Sequence, residues 1–153
     1  MKSLADYMKS HKTSEKRRGA TRKGNEFEEE IAALLRAGGW AVDVTKISRS
    51  FRRWKGGSGW VVNKADFFTS IDIIALRPEK SPVLLIQATT ARGGVAAKRR
   101  KIDQTIGGWA EGRELLVITR AADEKSFEVH RRVCSGWAPP FVCNNIDINQ
   151  IIG

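Results

Sequence analysis

Two apolar runs decide the fold: Ile71-Asp72-Ile73-Ile74-Ala75-Leu76 and Val83-Leu84-Leu85-Ile86-Gln87-Ala88-Thr89-Thr90. Both are short, rich in Ile, Leu and Val, and bounded by turn residues, which is the pattern of strands buried on both faces. Arg77–Pro82, with two prolines, turns the chain between them, so the strands are predicted to pair as a hairpin. Side chains alternate along a strand, which places Asp72 with Ile74 on one face and Ile71, Ile73 and Ala75 on the other. On the second run Leu85, Gln87 and Thr89 share a face, and pairing would bring Asp72 beside Gln87 and Thr89. A carboxylate inside so apolar a run is costly unless paired or bound to a cation. Asp72 therefore reads either as a cation ligand or as a strand-end residue that holds a turn.

Outward from this pair, Phe27, Ile31, Leu34 and Leu35 recur at helical spacing, with Asn25 as a candidate cap and Gly38-Gly39 as the stop. Glu28 lies at the border of that helix's apolar stripe, while Glu26 and Glu29 fall toward solvent. Trp40–Thr45 alternates as a strand. Ile47–Phe68 is long for a loop without structure; it reads as a hairpin around Gly56-Gly57-Ser58-Gly59 or as a mobile basic flap. After Thr90, a glycine-containing loop leads into a helix from Lys98, with Ile102, Ile106 and Trp109 on one face. Glu114–Thr119 and Ser126–Arg131 are further strands. Asn145–Ile152 alternates polar residues with Ile, suggesting an appended strand or a docking tail. The order is α-β-(insert)-β-β-α-β-β, a mixed α/β domain.

The chain has 153 residues, a formal charge of +10 and 41% hydrophobic residues, enough for one domain with a single core. No run of about 18 apolar residues is present, so no membrane span is expected, and residues 1–23 lack the apolar stretch of a secretory signal. Cys134, Cys143 and His130 fall short of a zinc set and of a disulfide framework, which fits reduced thiols in a cytoplasmic protein. The positive charge is clustered. Residues 1–24 hold eight Lys/Arg against two acids, Lys46–Lys64 holds six basic residues and no acid, and Arg92 with Lys98–Lys101 forms a third block. Three separated basic blocks, one carrying Trp54 and Trp60, point to a polyanion touched at several places. Nucleic acid is preferred to a membrane surface, because no long basic amphipathic helix is evident.

The stretch Lys23-Gly-Asn-Glu-Phe-Glu-Glu-Glu-Ile-Ala-Ala-Leu-Leu-Arg-Ala-Gly-Gly-Trp-Ala-Val42 resembles the opening helix and first strand of archaeal Holliday junction resolvases. Ser70-Ile-Asp-Ile-Ile-Ala resembles that family's strand with its metal-binding Asp, and Leu85-Ile-Gln-Ala-Thr resembles the strand that carries Glu-x-Lys in the wider PD-(D/E)XK nuclease superfamily. The likeness covers roughly residues 22 to 132. It implies a restriction-endonuclease-like mixed central sheet flanked by helices, and with the charge and pattern changes along the chain it gives a basic arm at 1–22, a core of residues 23–133 with an insert at 47–68, and an extension at 134–153. It implies a metal-dependent endonuclease that resolves four-way DNA junctions as a homodimer, with Mg2+ or Mn2+ held by Glu28, Asp72 and Gln87. Related expectations are a nuclease of this fold acting on other DNA, or a silent DNA-binding module.

Two departures stand out. Gln87 replaces the family's acid, keeping an oxygen ligand, and Thr89 replaces its lysine, leaving only a hydroxyl to orient water. The amine that would stabilise developing phosphorane charge is then sought on the following helix, first at Lys101 and next at Lys98; the alternative is that this basic helix start only binds phosphate. Phosphate contacts are expected from Arg22, Lys23, Arg49, Arg52, Arg53, Lys55, Lys64, Ser70, Lys98, Arg99 and Arg100. Trp54 and Trp60 are candidates for stacking on bases, with core packing or dimer contacts as the commoner fate of Trp.

Overall fold

The computed structural model describes residues 22–79, 82–108 and 110–144. The arm expected at 1–22 (apart from Arg22), Trp109 and the alternating stretch 145–152 lie outside the described residues. Helix α1 runs through residues 22–37, so Asn25 lies inside it and does not cap it. Gly39, at φ 86°, makes the left-handed exit that an L side chain resists. Strands β1 (Ala41–Val44), β2 (Ile47–Trp54), β3 (Gly57–Lys64), β4 (Ile73–Leu76) and β5 (Val83–Thr89) follow. A 3-10 turn at Arg92–Gly94 leads into helix α2 (Val95–Thr105). The chain then forms β6 (Arg113–Arg120), β7 (Phe127–Val133), β8 (Gly136–Trp137) and β9 (Phe141–Cys143).

Seven of these strands make one open mixed sheet in the order β1-β4-β5-β6-β7, with β8 and β9 both on β7. All described neighbours are antiparallel except β5 and β6, the pair that α2 links. Strands β2 and β3 form a separate two-stranded sheet. The expected element order is present, and the insert is a hairpin whose turn is Lys55-Gly56, so Gly57 and Gly59 lie within a strand. The segment expected as an extension beyond 133 adds β8 and β9 to β7.

Each face of the sheet buries its own apolar cluster. On one face α1 lays Phe27, Ile31 and Leu35 against Ile73, Ala75, Leu84, Ile86, Leu116 and Ile118. The opposite face packs Ile71, Leu85, Leu115 and Val117 under Val95 and Ile102 of α2. Burying one such Leu or Ile side chain contributes roughly 1.5–3 kcal/mol. Arg120 clamps α1 from the side: its guanidinium lies 4.9 Å from the ring centres of Phe27 and Phe127 and bonds the Glu30 carboxylate. Among the described residues no helix is long and apolar enough to cross a membrane.

Candidate active site

Asp72 stands one step beyond the Ile73–Ile86 pair of β4 and β5, which puts it opposite Gln87. Its carboxylate oxygen Oδ2 accepts a bond from the Ala88 N–H at 3.0 Å and is in contact with Gln87 Nε2. Its own N–H donates to the Ile86 carbonyl, and its carbonyl accepts from Thr45 N at 2.8 Å. The predicted meeting of Asp72 and Gln87 is thus present, with both side chains buried at 1% exposure. Gln87 Oε1 has no hydrogen-bond partner among the described residues. Nε2 and not Oε1 faces the carboxylate, so the two side chains would offer a hard cation a pair of oxygens once the amide is turned over.

The predicted alternation fails at one place. Ile71 packs with Leu85 and Ile102 on the α2 face, not with Ile73 and Ala75 on the α1 face. The chain bends at Asp72, and just upstream Phe68 and Thr69 are both left-handed, at φ 50° and 63°. Non-glycine residues in that region store of order 1 kcal/mol each, and such strain collects at functional positions. The bend ends the strand, so the Asp72 carboxylate bonds a strand amide in place of a ladder carbonyl.

Ser70, expected to touch phosphate, is corrected by this turn. It is fully buried, with Oγ 2.6 Å from Thr105 Oγ1 at the end of α2. Its role here is to dock the Phe67–Ile71 turn on that helix.

Glu28 is buried at 5% exposure and lines an open groove of about 450 Å³ with Asn25, Glu29, Arg36, Asp43, Thr45 and Lys46. The face that α1 covers is opposite to that of Gln87, whose strand neighbour Leu85 packs under α2. Thr45, whose amide bonds Asp72, joins the groove to the Asp72 end of the sheet. Among the described residues no group of three or more His, Cys, Asp or Glu side chains converges on one point.

Thr89 is half-buried, and its Oγ1 accepts the Ala91 N–H at 3.3 Å. A Cβ on Gly94 would lie 3.8 Å from that oxygen, so α2 begins beside Thr89. With a rise of about 1.5 Å per residue, Lys98 is roughly 6 Å along the helix from Gly94 and Lys101 roughly 10 Å. Lys98 also shares a flank with Thr105, seven residues on, and that flank faces Ser70. Lys101 is exposed, whereas Lys98 is half-buried.

The same sheet face carries groups that sequence reasoning missed. The ladder sets Gln87, Val117 and His130 in one row, and Thr89, Thr119 and Glu128 in the next. His130 Nε2 lies 2.8 Å from Glu128 Oε1, and Arg92 of the 3-10 turn reaches Glu128 Oε2 at 3.4 Å. His130 Nδ1 and Thr119 Oγ1 are buried without partners among the described residues. Burial holds the imidazole below its ordinary 6.5, Glu128 opposes that shift, and nearby Arg99 adds to it. His130 is two strands from Gln87, about 10 Å. The signal was available as polar Glu128 and His130 alternating with apolar Phe127 and Val129, but only strand pairing brings them to the Gln87 face.

The expected phosphate-binding residues divide. Arg49, Arg52, Arg53, Lys55, Lys23 and Arg100 are exposed, and the Lys64 side chain lies outside the described ones. Arg22 is exposed and ion-paired with Glu26 at 3.5 Å. Arg99 is half-buried with its guanidinium 5.1 Å from the Trp137 ring centre, so it supports packing as well as charge. Comparison of the chain with known protein families, with curated proteins and with solved structures returned no match.

Proposed function

We propose that this chain is a divalent-cation-dependent DNA endonuclease that acts on branched DNA, resolving four-way junctions as a homodimer in the cytoplasm. The observation that carries the proposal is the buried Asp72–Gln87 pair with its open amide oxygen, set at a bent strand end beside a basic helix. Support for a restriction-endonuclease-like arrangement comes from the element order and from a single parallel pair, β5 and β6, bridged by α2. A homodimer suits the reading, because two symmetric cuts in a junction call for a two-fold enzyme.

Asp72 Oδ and Gln87 Oε1 would hold Mg2+ or Mn2+, with Glu28 completing the set around the end of the sheet. The chemistry such an ion supplies when bound is polarisation of a phosphoryl oxygen and acidification of a water. Thr89 Oγ1 lies beside the start of α2, where it orients water or a phosphate oxygen. Lys98, one turn into α2, takes precedence over Lys101 as the amine aimed at the developing charge, because it is nearer Thr89. Arg49, Arg52, Arg53, Lys55 and Arg100 bind phosphates and set the salt dependence of affinity.

A second reading is a silent DNA-binding module of the same fold, favoured by Thr89 standing where a catalytic lysine would be. A nuclease acting on other DNA is the third. The test is single-turnover cleavage of a four-way junction and of plain duplex, each with Mg2+, Mn2+ or EDTA. Cation-dependent cutting confined to the junction is expected. Equal cutting of duplex selects the third reading, and tight binding without cutting under any ion selects the silent module.

A further inference from the structure

The hairpin of β2 and β3 pairs with no other strand among the described residues, and its register sorts its side chains into two faces. Arg49, Phe51 and Arg53 lie on one face, where Phe51 is directly opposite Trp60 and the rings meet edge to face at 5.6 Å. Arg52 and Trp54 lie on the other, where Trp54 is opposite Gly57 and diagonal to Gly59. The two glycines form a bed for the indole: a Cβ on Gly59 would stand 3.2 Å from Trp54 Cη2, and one on Gly57 3.6 Å from Nε1. Phe51, Trp54 and Trp60 are nonetheless 51%, 55% and 69% exposed.

An isolated two-stranded ribbon is marginal in water, and although its rings touch one another and the glycine bed, more than half of each stays in water on one face or the other. Their placement calls for a partner that offers flat apolar surfaces and negative charge together. The charge is one-sided, since Lys46–Lys64 contains six cations and no acid. Nucleic-acid bases and phosphates supply both requirements. In an intact duplex the base faces are stacked on one another and out of reach. A ribbon with one open indole on each face instead fits a point where two strands part.

We propose that the hairpin is a strand-parting blade for forked DNA. One unpaired base stacks on Trp54 and one from the opposing strand stacks on Trp60, while Arg52 on one side and Arg49 and Arg53 on the other hold the two backbones. This rests on the reading of the chain as a protein of branched DNA, and it names the feature recognised as unpaired bases on both arms of the branch.

The test uses the full chain in EDTA, so that binding is read without cleavage. Forks carry 2-aminopurine at the first unpaired position of one arm or the other, and fully paired duplex and single strand serve as comparisons. Wild type should bind the fork tightest and quench both arms. Trp54→Ala should abolish quenching on one arm and Trp60→Ala on the other, each weakening fork binding about 10- to 100-fold. Gly59→Val keeps both indoles but pushes Trp54 off its bed, so it should lose the same arm as Trp54→Ala. Unchanged circular dichroism and melting are expected for all three variants. Fork binding no tighter than duplex, loss of the same arm in both Trp variants, or wild-type quenching in Gly59→Val overturns the blade. So does a dimer that becomes monomeric in Trp60→Ala with fork binding unchanged, because that face would then be a protein interface. In each of these cases junction cleavage by wild type leaves the nuclease reading standing. Absence of DNA binding by wild type removes both.

Discussion

Replacing Asp72 by Asn and by Ala separates its work on a cation from its work in the fold. Two bonds reach the carboxylate oxygen Oδ2, from Ala88 N and from Gln87 Nε2. An Asn amide oxygen in the same place accepts both, so Asp72→Asn should stay within about 1 kcal/mol of wild type. In a chain of this size that is a change of no more than about 4 °C in melting temperature. Asp72→Ala strands the Ala88 N–H and leaves Gln87 Nε2 with only the Ala88 carbonyl, a loss of roughly 1–3 kcal/mol each, about 2–6 kcal/mol together, and should melt roughly 4–24 °C lower. Melting is then repeated with added Mn2+ or Mg2+. At tenfold above its dissociation constant the ion stabilises wild type by about 1.4 kcal/mol, and neither variant should gain. Single-turnover cleavage should vanish in both, while junction affinity in EDTA stays within a few fold because the phosphate contacts remain. An Asn variant that still gains stability from the ion and cuts at the wild-type rate would remove Asp72 from the site. One that melts as low as the Ala variant would refute the account of the bonds.

Lys98→Met should slow single-turnover cleavage by about a hundred- to a thousandfold at saturating enzyme, and Lys101→Met should only weaken binding; the reverse result restores Lys101 as the amine. Ser70→Ala loses the bond to Thr105 and should cost about 1 kcal/mol in a denaturant melt, with DNA affinity unchanged, whereas weaker binding at full stability would return Ser70 to the interface. His130 has a folded pKa below its ordinary 6.5, because burial disfavours the cation. The unfolded chain therefore binds the proton more tightly, and this stability is full above about pH 6.5 and lost as pH falls below it. His130→Gln should flatten the loss of stability measured from pH 7.5 to 5.5; identical slopes would show that burial of the imidazole does not matter.

What the sequence determined by itself is local. The runs at 71–76 and 83–90, their short connection and the period of two were enough to bring Asp72 to Gln87, because a slip of one residue would turn the buried set of each strand to the wrong face. The stripe Phe27, Ile31, Leu35 determined α1 in the same way, and its border position foretold the burial of Glu28. Tertiary structure decided whatever depends on a bend or on pairing between distant segments. The left-handed residues Phe68 and Thr69 and the bend at Asp72 carry Ile71 and Ser70 to the α2 face, and a strict alternation cannot anticipate that reversal. Glu128 and His130 are some forty residues from Gln87 in sequence and share its face only through β6. Trp54 and Trp60 read alike as exposed aromatics in a basic stretch. The two-residue turn at Lys55-Gly56 sets the register that puts them on opposite faces, since shifting a ladder by one residue exchanges the two sides of a strand.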